Sequence, residues 1–135
     1  MENLHLAATS LTPFVSFKTN EGILDLRGRS SPDNSLGFYS PIFQFLDSYL
    51  DKPLTDNLKI NVNLEYFNTS SLKCIFQMLK KLSDINKHGI GIEVNWYYEE
   101  EDEDMLETGE DIADLLNLEF NFVPEDNNVY APVVN

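Results

Sequence analysis

Two stretches of strict alternation constrain this chain more than any other feature. Leu58, Ile60, Val62, Leu64 and Tyr66 are separated by Lys59, Asn61, Asn63 and Glu65, and Ile90, Ile92, Val94, Trp96 and Tyr98 by Gly91, Glu93, Asn95 and Tyr97. A period of two is the mark of a strand that buries one face, and both segments read as central strands. Parallel strands covered by helices on both sides are apolar at every residue, so these polar alternate positions argue against that arrangement. The pattern predicts a two-layer α/β domain, a mixed β-sheet with helices mainly on one face.

Three helices fit around those strands. Ser40 and Pro41 supply an N-cap and a first-turn proline, after which Ile42, Phe45, Leu46, Tyr49 and Leu50 recur at helical spacing until Pro53. Asn68-Thr69-Ser70-Ser71 opens a second helix with Leu72, Ile75, Phe76, Leu79 and Leu82 on one stripe, ending near Lys87 with Gly89 just beyond. A third, from about Asp104 to Leu116, turns Leu106, Ile112, Leu115 and Leu116 to the core. Short strands are expected at Leu4 to Ala8, Phe14 to Lys18 and Ile23 to Arg27, with a hairpin turn at Thr19-Asn20-Glu21-Gly22. Residues 28–40 read as a long loop dense in turn formers. Phe120 and Phe122 suggest a last short strand, and the chain is expected to be irregular from Pro124. The resulting order is β-β-β-α-β-α-β-α-β. A length of 135 residues fits one domain, taken as residues 1–123 with an irregular tail over 124–135.

Charge narrows the function classes. The formal net charge is −14, and it is not spread evenly. All nine cations lie between Lys18 and Lys87, and the nine acids of residues 1–87 balance them; the other fourteen acids follow, ten of them between Glu99 and Asp114. Nucleic acid and anionic membrane surfaces are poor partners for such a chain. The unbroken run Glu99-Glu100-Glu101-Asp102-Glu103-Asp104 admits two readings, a solvated loop and helix face or a docking surface for a basic patch on a partner. It lacks the alternating carboxylates and central glycine of a calcium loop. A single cysteine, Cys74, rules out an intrachain disulfide, and no secretory signal or membrane-length apolar run is visible, so a cytoplasmic protein is expected.

Catalytic apparatus is thin. His5 and His88 have no metal-ligand types at zinc-site spacing, and neither a nucleophile elbow, a phosphate loop nor a dinucleotide fingerprint occurs, so no metal or cofactor is assigned. Cys74 falls beside the apolar stripe of the second helix, the ordinary place for a small buried side chain. The cluster Asn68-Thr69-Ser70-Ser71 is a natural helix cap, since Asn, Ser and Thr oxygens accept the first-turn N–H groups. A hydroxyl there is equally well placed to carry a phosphate, whose charge the helix N-terminus tolerates and which Lys73, one turn on, partly neutralises.

The segments Gly28-Arg29-Ser30-Ser31-Pro32-Asp33-Asn34, Phe38-Tyr39-Ser40-Pro41-Ile42 and Leu64-Glu65-Tyr66-Phe67-Asn68-Thr69-Ser70-Ser71-Leu72-Lys73 together resemble the SiaC family of bacterial biofilm-regulation phosphoproteins, over about residues 5–123. That family is similar in architecture to STAS-type anti-anti-sigma factors. The resemblance implies a STAS-like fold and a non-enzymatic partner switch. In it a Ser/Thr kinase phosphorylates the protein, a PP2C-type phosphatase reverses this, and the unmodified form binds and activates a diguanylate cyclase in cyclic-di-GMP signalling. By motif position it implies Thr69 as acceptor, with Ser70 and Ser71 as lesser candidates. It places partner binding at Asn68, Thr69, Ser70, Ser71, Lys73, Arg29, Ser31 and Pro32. Two other readings remain: an acidic decoy covering a basic partner surface, and a small hydrolase using Ser70 or Ser71 with Arg29 as an anion clamp.

Overall fold

The computed structural model describes residues 1–126; residues 127–135, including the apolar Val129, Tyr130, Val133 and Val134, lie outside the described residues. Six strands run β1 (Leu4–Leu6), β2 (Phe14–Lys18), β3 (Ile23–Ser30), β4 (Asn57–Phe67), β5 (Gly91–Glu99) and β6 (Phe120–Glu125). Between them lie α1 (Ser35–Asp51), α2 (Thr69–Ser83), continued by a 3-10 turn over Asp84–His88, and α3 (Glu103–Leu116). The element order is the expected one. The strands pair in sequence order as one mixed sheet. β1, β2 and β3 are antiparallel neighbours, whereas β3 to β6 are parallel. A parallel pair needs a long crossover, which is what each helix supplies.

The alternation has the expected consequence. Leu58, Ile60, Val62 and Leu64 are buried on β4, with Val94 and Trp96 on β5, against Ile42, Leu46 and Tyr49 of α1 and Ile75, Met78 and Leu79 of α2. The opposite face of the sheet is polar. Asp25, Asn61, Asn95 and Asn121 stand in register across four strands. Asn61 donates to Asp25 at 2.8 Å, Asn95 to Asn61 at 2.8 Å and Asn121 to Asn95 at 2.9 Å. Those side chains satisfy one another across the uncovered face, so no second helical layer is needed.

Several local expectations are corrected. Residues 28–40 are not one loop: Gly28, Arg29 and Ser30 extend β3, and α1 begins at Ser35 with Asn34 as its cap, accepting from Gly37 N–H at 3.0 Å. Pro41 therefore lies inside the helix, and the residue four before it, whose carbonyl the proline ring crowds, is Gly37. Tyr66 leaves the buried row because β4 bulges, Leu64 pairing with Gly28 and Tyr66 with Arg29, so that Glu65 is an extra residue. On α3 the buried stripe is Met105, Gly109, Ile112 and Ala113, while Leu115 is 74% exposed. Gly109 sets that rotation, because its lack of a side chain lets the helix lie directly on the buried Trp96 ring. Finally, β1 ends at Leu6, and β6 continues through Pro124 and Glu125.

Candidate functional site

In a parallel sheet the β-to-α connections gather at the carboxyl ends of the strands, the usual place for a site. Here the β3–α1 connection, residues 31–34, sits beside the β4–α2 junction at Asn68, because β3 and β4 are neighbours. Asn68 ties the two together: its backbone N–H donates to the Ser30 carbonyl at 3.0 Å and its side chain to the Pro32 carbonyl at 3.4 Å. Its carboxamide oxygen accepts from Ser71 N–H at 2.8 Å, closing the N-cap of α2.

Behind that cap runs a chain of hydroxyls that the sequence does not reveal. Tyr39, Ser30, Ser71, Ser35 and Ser70 are linked at 2.7, 2.8, 3.2 and 2.7 Å, and Ser70 ends on Asn68 Oδ1 at 3.2 Å. One proton per hydroxyl fixes its direction. Ser30 donates to Ser71, so Tyr39 donates to Ser30; Ser70 donates to Asn68, so Ser35 donates to Ser70 and Ser71 to Ser35. Ser30, Ser71 and Tyr39 are each 0% exposed. Burial pushes the Tyr39 phenol up to about 12, only partly countered by the Ser30 hydrogen bond. The chain joins the end of β3 and the starts of α1 and α2 into one unit. Its residues come from segments 41 positions apart, which is why spacing alone could not find them.

Thr69, the first residue of α2, differs from its neighbours. It is exposed, and among the described residues its hydroxyl has no hydrogen-bond partner. Ser70 is held by Ser35 and Asn68, and Ser71 is buried. The N–H groups of the first turn point out of the helix end beside Thr69 without intrahelical acceptors, and the helix dipole is positive there. Lys73, one turn further, is exposed on the same helix. Arg29 donates through Nε to Ser31 at 2.9 Å and stacks over the Tyr66 ring at 4.4 Å.

The expected site residues therefore sort by accessibility. Asn68, Thr69, Ser70, Ser31 and Arg29 meet the surface at this corner, with Lys73 on the adjoining turn. Pro32 and Ser71 are buried and hold the corner from within. Hydrolysis by Ser70 or Ser71 finds no support: their hydroxyls meet other serines and the Asn68 carboxamide, none of which is a base, and Arg29 is engaged with Ser31 and Tyr66. Cys74 is buried and its thiol is pushed up by that burial, the opposite of an activated nucleophile.

The acidic run has a local structural role. Asp102 caps α3 by accepting from Met105 N–H at 3.0 Å, and Glu103 and Asp104 occupy its first turn, where negative charge is favoured. Among the described residues no helix is long and apolar enough to cross a membrane.

Comparison with known proteins agrees with this architecture. An uncharacterised protein of Pseudomonas aeruginosa strain UCBPP-PA14 is 26% identical over 129 residues, covering 93% of this chain and 99% of the relative. The crystal structure of apo-SiaC from Pseudomonas aeruginosa superposes with a TM-score of 0.79 at 25% identity, covering 93% of this chain and 99% of that one. A similar fold is seen in SiaC from the same organism, crystallised as the activator in complex with the diguanylate cyclase SiaD, with a TM-score of 0.82 at 24% identity over 90% of this chain and 99% of that one. The family model for SiaC family regulatory phosphoproteins matches residues 6–125, and the chain belongs to that family.

Proposed function

We propose that this protein is a non-enzymatic partner switch whose unphosphorylated form binds and activates a diguanylate cyclase, and whose control point is Thr69. A Ser/Thr kinase would add the phosphate and a PP2C-type phosphatase remove it. The observation that carries this reading is the contrast on the first turn of α2: Thr69 offers an exposed hydroxyl, while Ser70 and Ser71 are committed to the hydroxyl chain. A kinase needs a hydroxyl it can reach without unfolding its substrate. The activator role is supported by family membership and by the cyclase complex of the Pseudomonas protein.

The fold tolerates the modification. A phosphate adds about −1.5 to −2 charge, and at the first helical position it meets outward N–H groups, the positive end of the dipole and the Lys73 ammonium. Its effect falls on the surface built by Asn68, Ser70, Arg29 and Ser31, where a partner seated over the corner meets a bulky dianion. Ser71 and Pro32 serve that surface by positioning it. Phosphosite mapping by mass spectrometry on protein isolated from its own cells tests the assignment: phosphate on Thr69 is expected, and phosphate confined to Ser70 or Ser71 would overturn it.

A further inference from the structure

Thr69 and Ser70 follow one another on the first turn of α2, about 100° apart around its axis, and both are exposed. Burial sets Ser71, which is 0% exposed, apart from Thr69, but it does not set Ser70 apart. What distinguishes the two exposed hydroxyls is a bond to another helix. Ser35, the first residue of α1, is 3% exposed and stands 2.7 Å from the Ser70 hydroxyl. In the relay Ser35 accepts from Ser71 at 3.2 Å and gives its one proton to Ser70. Ser70 in turn gives its own proton to Asn68 Oδ1 at 3.2 Å. Among the described residues nothing holds the Thr69 hydroxyl in this way.

We propose that Ser35 determines which hydroxyl of this turn is phosphorylated: by holding Ser70 inward it confines the phosphate to Thr69. This deepens the partner-switch reading and rests on it. In the transfer the acceptor oxygen bonds to the terminal phosphorus of a nucleoside triphosphate held by the kinase, and the bond from that phosphorus to the diphosphate leaving group breaks. The hydroxyl proton passes to a base of the kinase. Thr69 has its proton and lone pairs open to that exchange. Ser70 has its proton on Asn68 and a lone pair on the Ser35 proton, so it must give up both bonds and turn outward first. The lock stands where modification would do harm. A phosphate on Ser70 would push against Ser35 at the starts of α1 and α2 and break the relay at Ser35 and Asn68, whereas one on Thr69 leaves those bonds in place. The determinant lies 35 positions away on a different helix, outside any recognition motif centred on Thr69.

The test expresses full-length variants in the protein's own cells and maps phosphate by mass spectrometry on a peptide containing both Thr69 and Ser70. Thr69→Ala alone is expected to leave Ser70 bare. Adding Ser35→Ala should raise phosphate on Ser70 at least about tenfold, and Ser35→Thr, which keeps the hydroxyl, should leave it low. Ser71→Ala in the same Thr69→Ala background is the control for general loosening, because Ser71 belongs to the relay but does not touch Ser70. Ser35→Cys, close in size and a weak donor, repeats the test if Ser35→Ala does not fold. Ser70 that stays bare without Ser35, while the wild type carries phosphate on Thr69, overturns the inference and leaves the switch standing. So does phosphate on Ser70 in Thr69→Ala alone, or an equal gain with Ser71→Ala. A wild-type chain without phosphate on Thr69 overturns the switch, and this inference with it.

Discussion

Thr69 and Ser70 are adjacent on one helical turn, yet their hydroxyls have different chemistry because of what lies beneath them. Ser70 terminates a relay that begins at the buried Tyr39, while Thr69 faces solvent. The relay makes Ser30 the residue whose loss should be felt most. Ser30→Ala leaves the Tyr39 phenol without its acceptor and Ser71 without its donor, and should cost about 1–3 kcal/mol in urea unfolding, the usual penalty for orphaning buried polar groups. Tyr39 also makes stability depend on alkaline pH. Its folded pKa of about 12 lies above the ordinary value of 10.0, so the folded state holds the proton more tightly and unfolding releases it. The contribution is complete below pH 10 and is lost as pH rises toward 12, at up to about 1.4 kcal/mol per pH unit. Denaturation midpoints measured across that range should fall with pH in the wild type and with a shallower slope in Tyr39→Phe.

Among the elements, α3 shows most clearly how one contact sets an orientation. A Cβ at Gly109 would sit 2.6 Å from both Cδ1 and Nε1 of Trp96, and that indole is fully buried with its N–H donating to the Met105 carbonyl at 2.9 Å. Gly109→Ala should therefore lower thermal stability and shift Trp96 fluorescence. The overpacking cost of about 1–3 kcal/mol exceeds the gain in helix propensity of at most about 1 kcal/mol. The same contact explains what the sequence made legible. Strands β4 and β5 were readable because each keeps one face in the core, and α2 because its stripe and its Asn68 cap are both local. On α3 the expected Ile112 lies in the core and Leu116 packs against it, but Leu115 faces solvent and Met105, Gly109 and Ala113 complete the buried stripe, since a glycine gives no hydrophobic signal and Leu115 does. The start of α1 was missed because Asn34, Ser35 and Gly37 are turn formers, overridden by burial of Ser35 and Tyr39. Of the site, the capping cluster was visible, whereas the bulge that turns Tyr66 toward Arg29 and the relay through Ser30 and Ser35 depend on pairings between distant segments.

At the scale of the whole molecule, charge is segregated. The surplus of acids lies on α3 and the turn before it, while Lys18, Arg27, Arg29 and Lys59 stand on the sheet strands and Lys73, Lys80 and Lys81 on α2. Crowded carboxylates repel one another, and salt with a Debye length of about 10 Å at 0.1 M screens them. The melting temperature should therefore rise as NaCl is raised from about 20 mM to about 200 mM, which spans the range where that screening takes hold. A flat or falling profile would mean that the acids are already compensated. The proposed partner switch also belongs to this scale, because phosphate on one side chain would have to change the affinity of an entire surface. The most direct measurement is a titration of a purified diguanylate cyclase from the same organism with the unmodified chain and with the chain stoichiometrically phosphorylated on Thr69. We expect the phosphorylated form to bind at least about tenfold more weakly, a difference of about 1.4 kcal/mol; equal affinity of the two forms would contradict the switch.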